Sequence, residues 1–214
     1  YLLKIINELL DLSSVESGNL KLSIERIDIM PIVDEIIASC QSLAVKDNIL
    51  IEHEKIDRET IFIDVDLIRI KQVILNLVSN AIKYNKPNGT VVISYVKLQN
   101  HKIRIGIKDS GHGIPEDKLD KVFIPFERFH SDIDSIEGTG IGLTISKQLI
   151  ELMSGLVGFE SVADKGSYFY IDLPLSSNIV YQREIAPHTQ QLPNNNPEPT
   201  KLKKILYIED VTVN

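Results

Sequence analysis

Apolar side chains recur at Leu2, Ile5, Ile6, Leu9, Leu10, Leu12 and Val15. That spacing predicts a helix over 1–16, with a seam suited to packing on a partner helix. Gly18 and Asn19 stop it. Residues 23–28 alternate as a short strand, and Pro31 opens a second helix running to about Lys46. Short strands are expected at 49–53 and 61–64, and Asp66 is placed to cap a long helix over 67–84. Pro87, Asn88 and Gly89 form a turn before two strands, 91–98 and 103–108, joined around Asn100. A loop-rich stretch, 110–139, leads to a helix at about 140–153. Strands at 157–161 and 167–173 follow, around the Asp-Lys-Gly turn at 164–166. The pattern then lapses: 176–200 has four prolines and the run Asn194–Asn196, which reads as a flexible linker. Residues 205–208 form one more apolar strand, ending in Glu209 and Asp210.

Composition narrows the function classes. The 214 residues are 43% apolar and 25% charged, as in ordinary globular proteins, and suffice for one well-cored domain with appendages. A net charge of −7 argues against a nucleic-acid partner. It also means that any phosphate site must rely on local cations and a metal. The single cysteine, Cys40, continues the stripe of Val33, Ile36, Ile37, Leu43 and Ala44, so it reads as core, and no internal disulfide is available. No apolar run is long enough to span a bilayer, so no membrane contact is expected within this stretch. The chain starts inside a helical pattern and stops just past a strand, which reads as a fragment cut at both ends.

Four segments carry the chemistry: NLVSNAIKY (76–84), DSGHGIP (109–115), FIPFERF (123–129) and GTGIGL (138–143). On the expected helix over 67–84, Asn76, Asn80, Lys83 and Tyr84 share one face, beside an apolar face of Ile70, Ile74, Leu77 and Ala81. A carboxamide oxygen suits magnesium, which takes few protein oxygens and completes its octahedron with phosphate and water. Lys83 and Tyr84 add a cation and a hydroxyl. A solvated polar face is the plainer alternative, but two mid-helix asparagines four apart disfavour it. Asp109 ends an apolar strand before Gly111 and Gly113, where a carboxylate can accept a hydrogen bond from the exocyclic amine of adenine. An ordinary Asp-Gly turn fits that segment equally well. Gly138, Gly140 and Gly142 present bare N–H groups at a helix start, suited to an anion. Phe123, Phe126 and Phe129 are expected to fasten a loop. Arg128 is the group there able to pair with a terminal phosphate, or else an exposed arginine. Together the four segments supply what a magnesium nucleotide needs.

Their order resembles the catalytic and ATP-binding domain of sensor histidine kinases, in the wider family shared with gyrase, Hsp90 and MutL. The resemblance covers 23–175, and 163–169 (ADKGSYF) is similar to a third glycine motif, which puts Lys165, Gly166 and Ser167 near the nucleotide. It implies an α/β two-layer sandwich of the Bergerat type, a mixed sheet on three helices, with ATP between the layers and a mobile lid at about 114–138. It also implies Asn80 as the Mg²⁺ ligand and Asp109 as the adenine contact. Residues 1–22 resemble the end of the helical hairpin through which such kinases form homodimers. Residues 201–214 resemble the start of a receiver domain, where Glu209 and Asp210 would hold Mg²⁺.

One position separates the branches of that family. Gyrase-type ATPases carry a glutamate base where this chain has Asn76, and losing a general base costs a factor of about 10²–10⁴. The site is better suited to donating phosphate to another nucleophile, with Asn76, Lys83 and Arg128 as its catalytic groups. That nucleophile is expected to be a histidine outside this stretch, because His53, His101, His112, His130 and His188 lack the flanking pattern of an acceptor. The expectation is a cytoplasmic two-component kinase, the longer protein membrane-anchored or not, that passes phosphate to a receiver or response regulator. A hydrolysing switch and a degenerate nucleotide-binding scaffold are the alternatives.

Overall fold

Two aspartates set where the main helices begin. The computed structural model describes residues 2–54, 60–127 and 139–176. Helix α1 (Leu2–Glu16) leads to strand β1 (Ile24–Asp28) and helix α2 (Ile29–Lys46). Asp28 accepts the N–H of Met30 at 3.1 Å, so α2 starts two residues ahead of Pro31. The proline falls in the first turn, where a missing N–H breaks no intrahelical bond. After strands β2 (Leu50–His53) and β3 (Phe62–Asp66), Asp66 caps helix α3 (Leu67–Lys83). One oxygen of Asp66 takes the N–H groups of Ile68 and Arg69 at 3.0 and 3.1 Å, and the other takes that of Ser23 at 2.9 Å. A single side chain thus starts α3 and ties the chain entering β1 to it.

The remaining elements are β4 (Thr90–Leu98), β5 (Lys102–Asp109), α4 (Gly142–Leu152), β6 (Leu156–Val162) and β7 (Gly166–Pro174), with a short 3-10 helix at Glu116–Lys121. The main sheet has the order β2-β4-β5-β7-β6; β2 runs parallel to β4 and the other pairs are antiparallel. The sheet is mixed and packs on α2, α3 and α4, as the sequence led one to expect. One refinement emerges: β1 and β3 form a separate antiparallel ribbon, joined to the main sheet by a bridge between Ile63 and Leu175.

Strand alternation decides which face is buried. Val91, Ile93 and Tyr95 of β4, Ile103, Ile105 and Ile107 of β5, and Ile171 and Leu173 of β7 all lie in the core. They meet Val33 and Ile36 of α2, Ile70, Val73, Ile74 and Leu77 of α3, and Leu149 and Ile150 of α4 in one hydrophobic cluster. On the opposite face, Arg104 forms a two-pronged ion pair with Asp172 at 2.7 and 2.8 Å and lies over the Tyr170 ring. The C-terminal half of α1 docks on this body. Leu12 enters the core, and Asp11 receives Arg69 Nη1 and Gln72 Nε2, both at 2.9 Å. Ile6, Leu9 and Leu10 stay exposed. No helix among the described residues is long and apolar enough to cross a membrane.

Replacing Asp66 with alanine should lower stability by about 1–2 kcal/mol, the usual worth of such a cap. Burial works to raise the pKa of this carboxyl, but the N–H groups of Ser23, Arg69 and Ile68 outweigh it and hold the pKa below the ordinary value. A depressed folded-state pKa means that the contribution is present above the unfolded-state pKa, near 4, and fades as pH falls through the folded value. Urea unfolding of parent and Asp66→Ala at pH 7 and pH 3 should therefore show a gap that shrinks at the lower pH.

Candidate functional site

Asp109 occupies the next core-facing position of β5 after Ile103, Ile105 and Ile107. At that point the apolar interior gives way to a cavity bordered by α3, the start of α4 and the beginning of β7. The carboxylate is buried, and the N–H groups of Gly111 and Ser167 both converge on its Oδ1, at 2.8 and 3.1 Å. Among the described residues no hydrogen bond engages its Oδ2. Desolvation pushes its pKa up, against the opposing pull of those two N–H groups and of His112. A desolvated acceptor with one oxygen open on a cavity is equipped to receive an N–H from a ligand.

The turn after Asp109 is held from three sides. The His112 N–H donates to the Tyr84 carbonyl at 3.1 Å, and the His112 carbonyl accepts Asp164 N–H. Asn85, buried at the end of α3, donates to the carbonyls of Ala81 and Thr90, and its Oδ1 accepts the N–H of Lys86 and the hydroxyl of Ser110. Gly113 has a left-handed backbone, and a Cβ there would meet the Val162 carbonyl. Gly111 does not border the cavity; it supports Asp109 from behind.

Helix α3 turns Asn76, Asn80, Lys83 and Tyr84 into the same cavity. The Asn76 carboxamide donates to Ser146 of α4 at 2.9 Å, and a Cβ on Gly142 would lie 2.5 Å from its oxygen. Asn76 is therefore a bridge between two helices, close-packed because Gly142 has no side chain. Asn80 makes one long contact, 3.5 Å from its Nδ2 to Asn76 Oδ1, and no hydrogen bond among the described residues uses its own Oδ1. Helix α4 begins without a side-chain cap, and Gly140, Gly142 and Leu143 of its approach border the cavity. Its first N–H groups are suited to an anion. Gly140 has φ +73°, and its carbonyl takes the Phe126 N–H at 2.9 Å.

The phenylalanine segment behaves unevenly. Phe123 packs edge-on against Phe159, which stacks on Phe169 at the cavity wall, and its carbonyl accepts Thr144 Oγ1. Phe126 does not pack as expected: its backbone is left-handed (φ +67°) and the residue is 63% exposed. It fastens the loop through its backbone contact with Gly140 instead. Phe129, Arg128 and Gly138 lie outside the described residues, as do residues 177–214 with Glu209 and Asp210. Ser167 lines the cavity, whereas Lys165, in the turn between β6 and β7, does not border it.

Sequence reasoning missed four contributors: Glu8, Thr139, Asn85 and Ser146. Thr139, set between two glycines, had a visible local signal. Glu8 had none, because it reaches the cavity only through the docking of α1, 131 residues away from its partner Thr139.

Residues 65–177 match the family model described as histidine kinase-, DNA gyrase B-, and HSP90-like ATPase. The chain is 33% identical over 177 residues to the sensor protein kinase WalK of Staphylococcus haemolyticus, covering 81% of this chain and 28% of that protein. It is 31% identical over 196 residues to the circadian input-output histidine kinase CikA of Synechococcus elongatus, covering 90% of this chain and 26% of that protein. The chain thus spans about a quarter of the length of these curated relatives. Among solved structures, the catalytic domain of histidine kinase ThkA is 30% identical with a TM-score of 0.62, covering 72% of this chain and 96% of that one. ThkA in complex with response regulator protein TrrA is 26% identical with a TM-score of 0.60, over 80% of this chain and 49% of that one.

The burial of Asp109 makes its charge a cost to the fold. A raised folded-state pKa gives stability that is full below the unfolded-state pKa and lost as pH rises through the folded value. Without nucleotide, Asp109→Asn should be at least as stable as the parent at pH 7, and the advantage should shrink toward pH 4. Urea unfolding at the two pH values checks this; a variant clearly less stable at pH 7 would contradict it.

Proposed function

The chain belongs to the histidine kinase-, DNA gyrase B- and HSP90-like ATPase family, and we propose that it is the nucleotide-binding, phosphate-donating part of a sensor histidine kinase. The observation that carries this is the convergence on one cavity of three unlike elements: the half-engaged carboxylate of Asp109, the polar face of α3, and the uncapped start of α4. Asp109 Oδ2 accepts the exocyclic amine of adenine. Lys83 and Tyr84 face the phosphates, and the first N–H groups of α4 receive their far end.

Magnesium fits the donor set. Asn80 offers a hard carboxamide oxygen, and among the described residues no cluster of three or more His, Cys, Asp or Glu exists that would hold a metal alone. That favours an ion shared with the phosphates. When bound, it supplies charge neutralisation along the triphosphate.

Transfer rather than hydrolysis follows from Asn76. Its amide is committed to Ser146 and has no basicity, so no base stands one turn before Asn80 to activate water. The acceptor is an imidazole nitrogen that attacks the γ-phosphorus; the bond to the bridging β–γ oxygen breaks and ADP leaves. That histidine comes from outside this chain. His53 is engaged with Asp34 and Tyr95, His101 lies in a turn and His112 in the loop after β5, and none of the chain's histidines has the flanking pattern of an acceptor. The exposed apolar stripe of α1 suits homodimer formation, and a receiver or response regulator takes the phosphate next, as ThkA is seen bound to TrrA. A cytoplasmic location follows from ATP as donor, and a net charge of −7 disfavours a nucleic-acid partner.

ATP should bind at least tenfold more tightly than GTP, and Asp109→Asn should weaken ATP by about 5- to 150-fold, the loss of about 1–3 kcal/mol at a buried charged acceptor. Equal affinity of the parent for the two nucleotides would remove the adenine assignment. Asn80→Ala should weaken ATP much more in magnesium than in EDTA; an equal loss in both would make Asn80 a packing residue. With γ-labelled ATP the chain alone should neither label itself nor turn over appreciably, and label should appear on a helical-hairpin acceptor of a relative supplied in trans. Label retained on this chain would contradict the reading.

A further inference from the structure

Strands β6 and β7 set two serines directly opposite one another, Ser161 and Ser167. Ser167 borders the cavity, and its N–H holds Oδ1 of Asp109 at 3.1 Å. Ser161 does not border the cavity, yet its Oγ is a junction of three contacts. It accepts the N–H of Ile114 at 2.8 Å, donates to the Gly166 carbonyl at 3.2 Å, and lies 2.9 Å from Ser167 Oγ. A hydroxyl has one hydrogen and two lone pairs. With its hydrogen on the Gly166 carbonyl, Ser161 offers its lone pairs to the Ile114 N–H and to the Ser167 hydroxyl, and all three contacts are made. Were Ser161 to donate to Ser167 instead, the bond to Gly166 would be lost. The first arrangement therefore holds one hydrogen bond more, and each bond in such a chain polarises the next.

We propose that Ser161 is a positioning residue for selection of the base: it draws the hydrogen of the Ser167 hydroxyl away from the cavity, so that Ser167 shows the base only lone pairs. This rests on the reading of the cavity as an ATP site. Asp109 Oδ2, which no hydrogen bond among the described residues engages, is an acceptor as well. The base end thus presents acceptors on two residues that are themselves joined through the Ser167 N–H. A 6-amino purine brings two N–H groups there, one for Asp109 and one for Ser167, directly or through a water. A 6-oxo purine turns the lone pairs of O6 toward the same acceptors and leaves them unpaired. An untethered Ser167 hydroxyl would swing its hydrogen round and donate to O6. Ser161 removes that choice from the neighbouring strand, without touching the ligand.

Affinities of ATP and of inosine triphosphate, whose base carries O6 in place of the amine, test this in magnesium for the parent, Ser161→Ala, Ser161→Thr and Ser167→Ala. In Ser161→Ala the freed Ser167 hydroxyl should improve binding of inosine triphosphate, narrowing the preference for ATP by about three- to tenfold, the worth of one neutral hydrogen bond. Ser161→Thr keeps the hydroxyl and should keep the parent's preference. In a Ser167→Ala background, adding Ser161→Ala should change the preference no further, because the hydroxyl it steers is gone. Ser161→Cys, of similar bulk but weak in hydrogen bonding, gives the same readout should the alanine variant not fold. An equal loss for both nucleotides in Ser161→Ala would make Ser161 only a structural tie to Ile114 and overturn the proposal. A narrowing that persists in the Ser167→Ala background would overturn it too, while leaving the ATP site intact. A parent that binds neither nucleotide would instead bring down the reading of the cavity, and this assignment with it.

Discussion

A carboxylate at the last inward position of a buried strand is the constraint from which the rest of this molecule follows. Strand β5 sends Ile103, Ile105 and Ile107 into the core and then, with the same alternation, Asp109. Hydrocarbon cannot cover an ionised group without large cost, so the packing of α3 and α4 on the sheet has to open there. The N–H groups of Gly111 and Ser167 must come to it. That requirement explains a tight turn immediately after the strand. It also explains why the hairpin between β6 and β7 returns to the same spot, with Gly166 so close to the Asp109 carbonyl that a Cβ would collide with it. The cavity is the opening that this charge demands.

Helix α3 resolves the opposite needs of the two layers. Its apolar residues Ile70, Val73, Ile74 and Leu77 are buried, while the turns around Asn76, Asn80 and Lys83 face the cavity. Asn76 works on both sides, lining the cavity and donating to Ser146. A carboxamide can sit against the bare backbone of Gly142 and the hydroxyl of Ser146 without charge. A glutamate carboxylate at this position could not donate to Ser146 as the Asn76 amide does, and would bring a negative charge to the cavity. The same side chain that joins α3 to α4 is thus one without basicity, which agrees with the proposal of transfer over hydrolysis.

Much of this was legible from residues alone, because much of it is local. Asp66 as the cap of α3, the shared face of Asn76, Asn80, Lys83 and Tyr84, and Asp109 at a strand end before glycines are periodicity and turn chemistry. The order of the four segments then gave the fold by resemblance. Features that depend on distant contacts were not legible. The sequence pattern cannot say that β1 leaves the main sheet to pair with β3, since both are short alternating strands. The outward turn of the Phe126 ring depends on a left-handed backbone held by Gly140. The place of Asn85 under the Asp109 turn, and of Glu8 beside Thr139, exists only after α3, β4 and α1 are docked.

The two ends of the cavity are built differently, and that difference shapes what the site can be asked to do. The Asp109 end is made of strand backbone, a buried asparagine and a glycine turn stitched to its neighbours by several main-chain hydrogen bonds. Such a structure offers a nearly fixed geometry to a flat base. The far end is made of α4's uncapped start, a threonine between glycines, and a helix anchored at one half. The contacts described there between α1, Thr139 and Ile141 are polar hydrogen bonds rather than apolar packing. On the proposed reading of the cavity, the base would be received where the backbone is stitched most tightly, and the phosphates where the first N–H groups of α4 lie open. A phosphate donor would gain from that division, because the nucleotide would be selected at the end built on strand backbone while its reactive end lay at the start of α4.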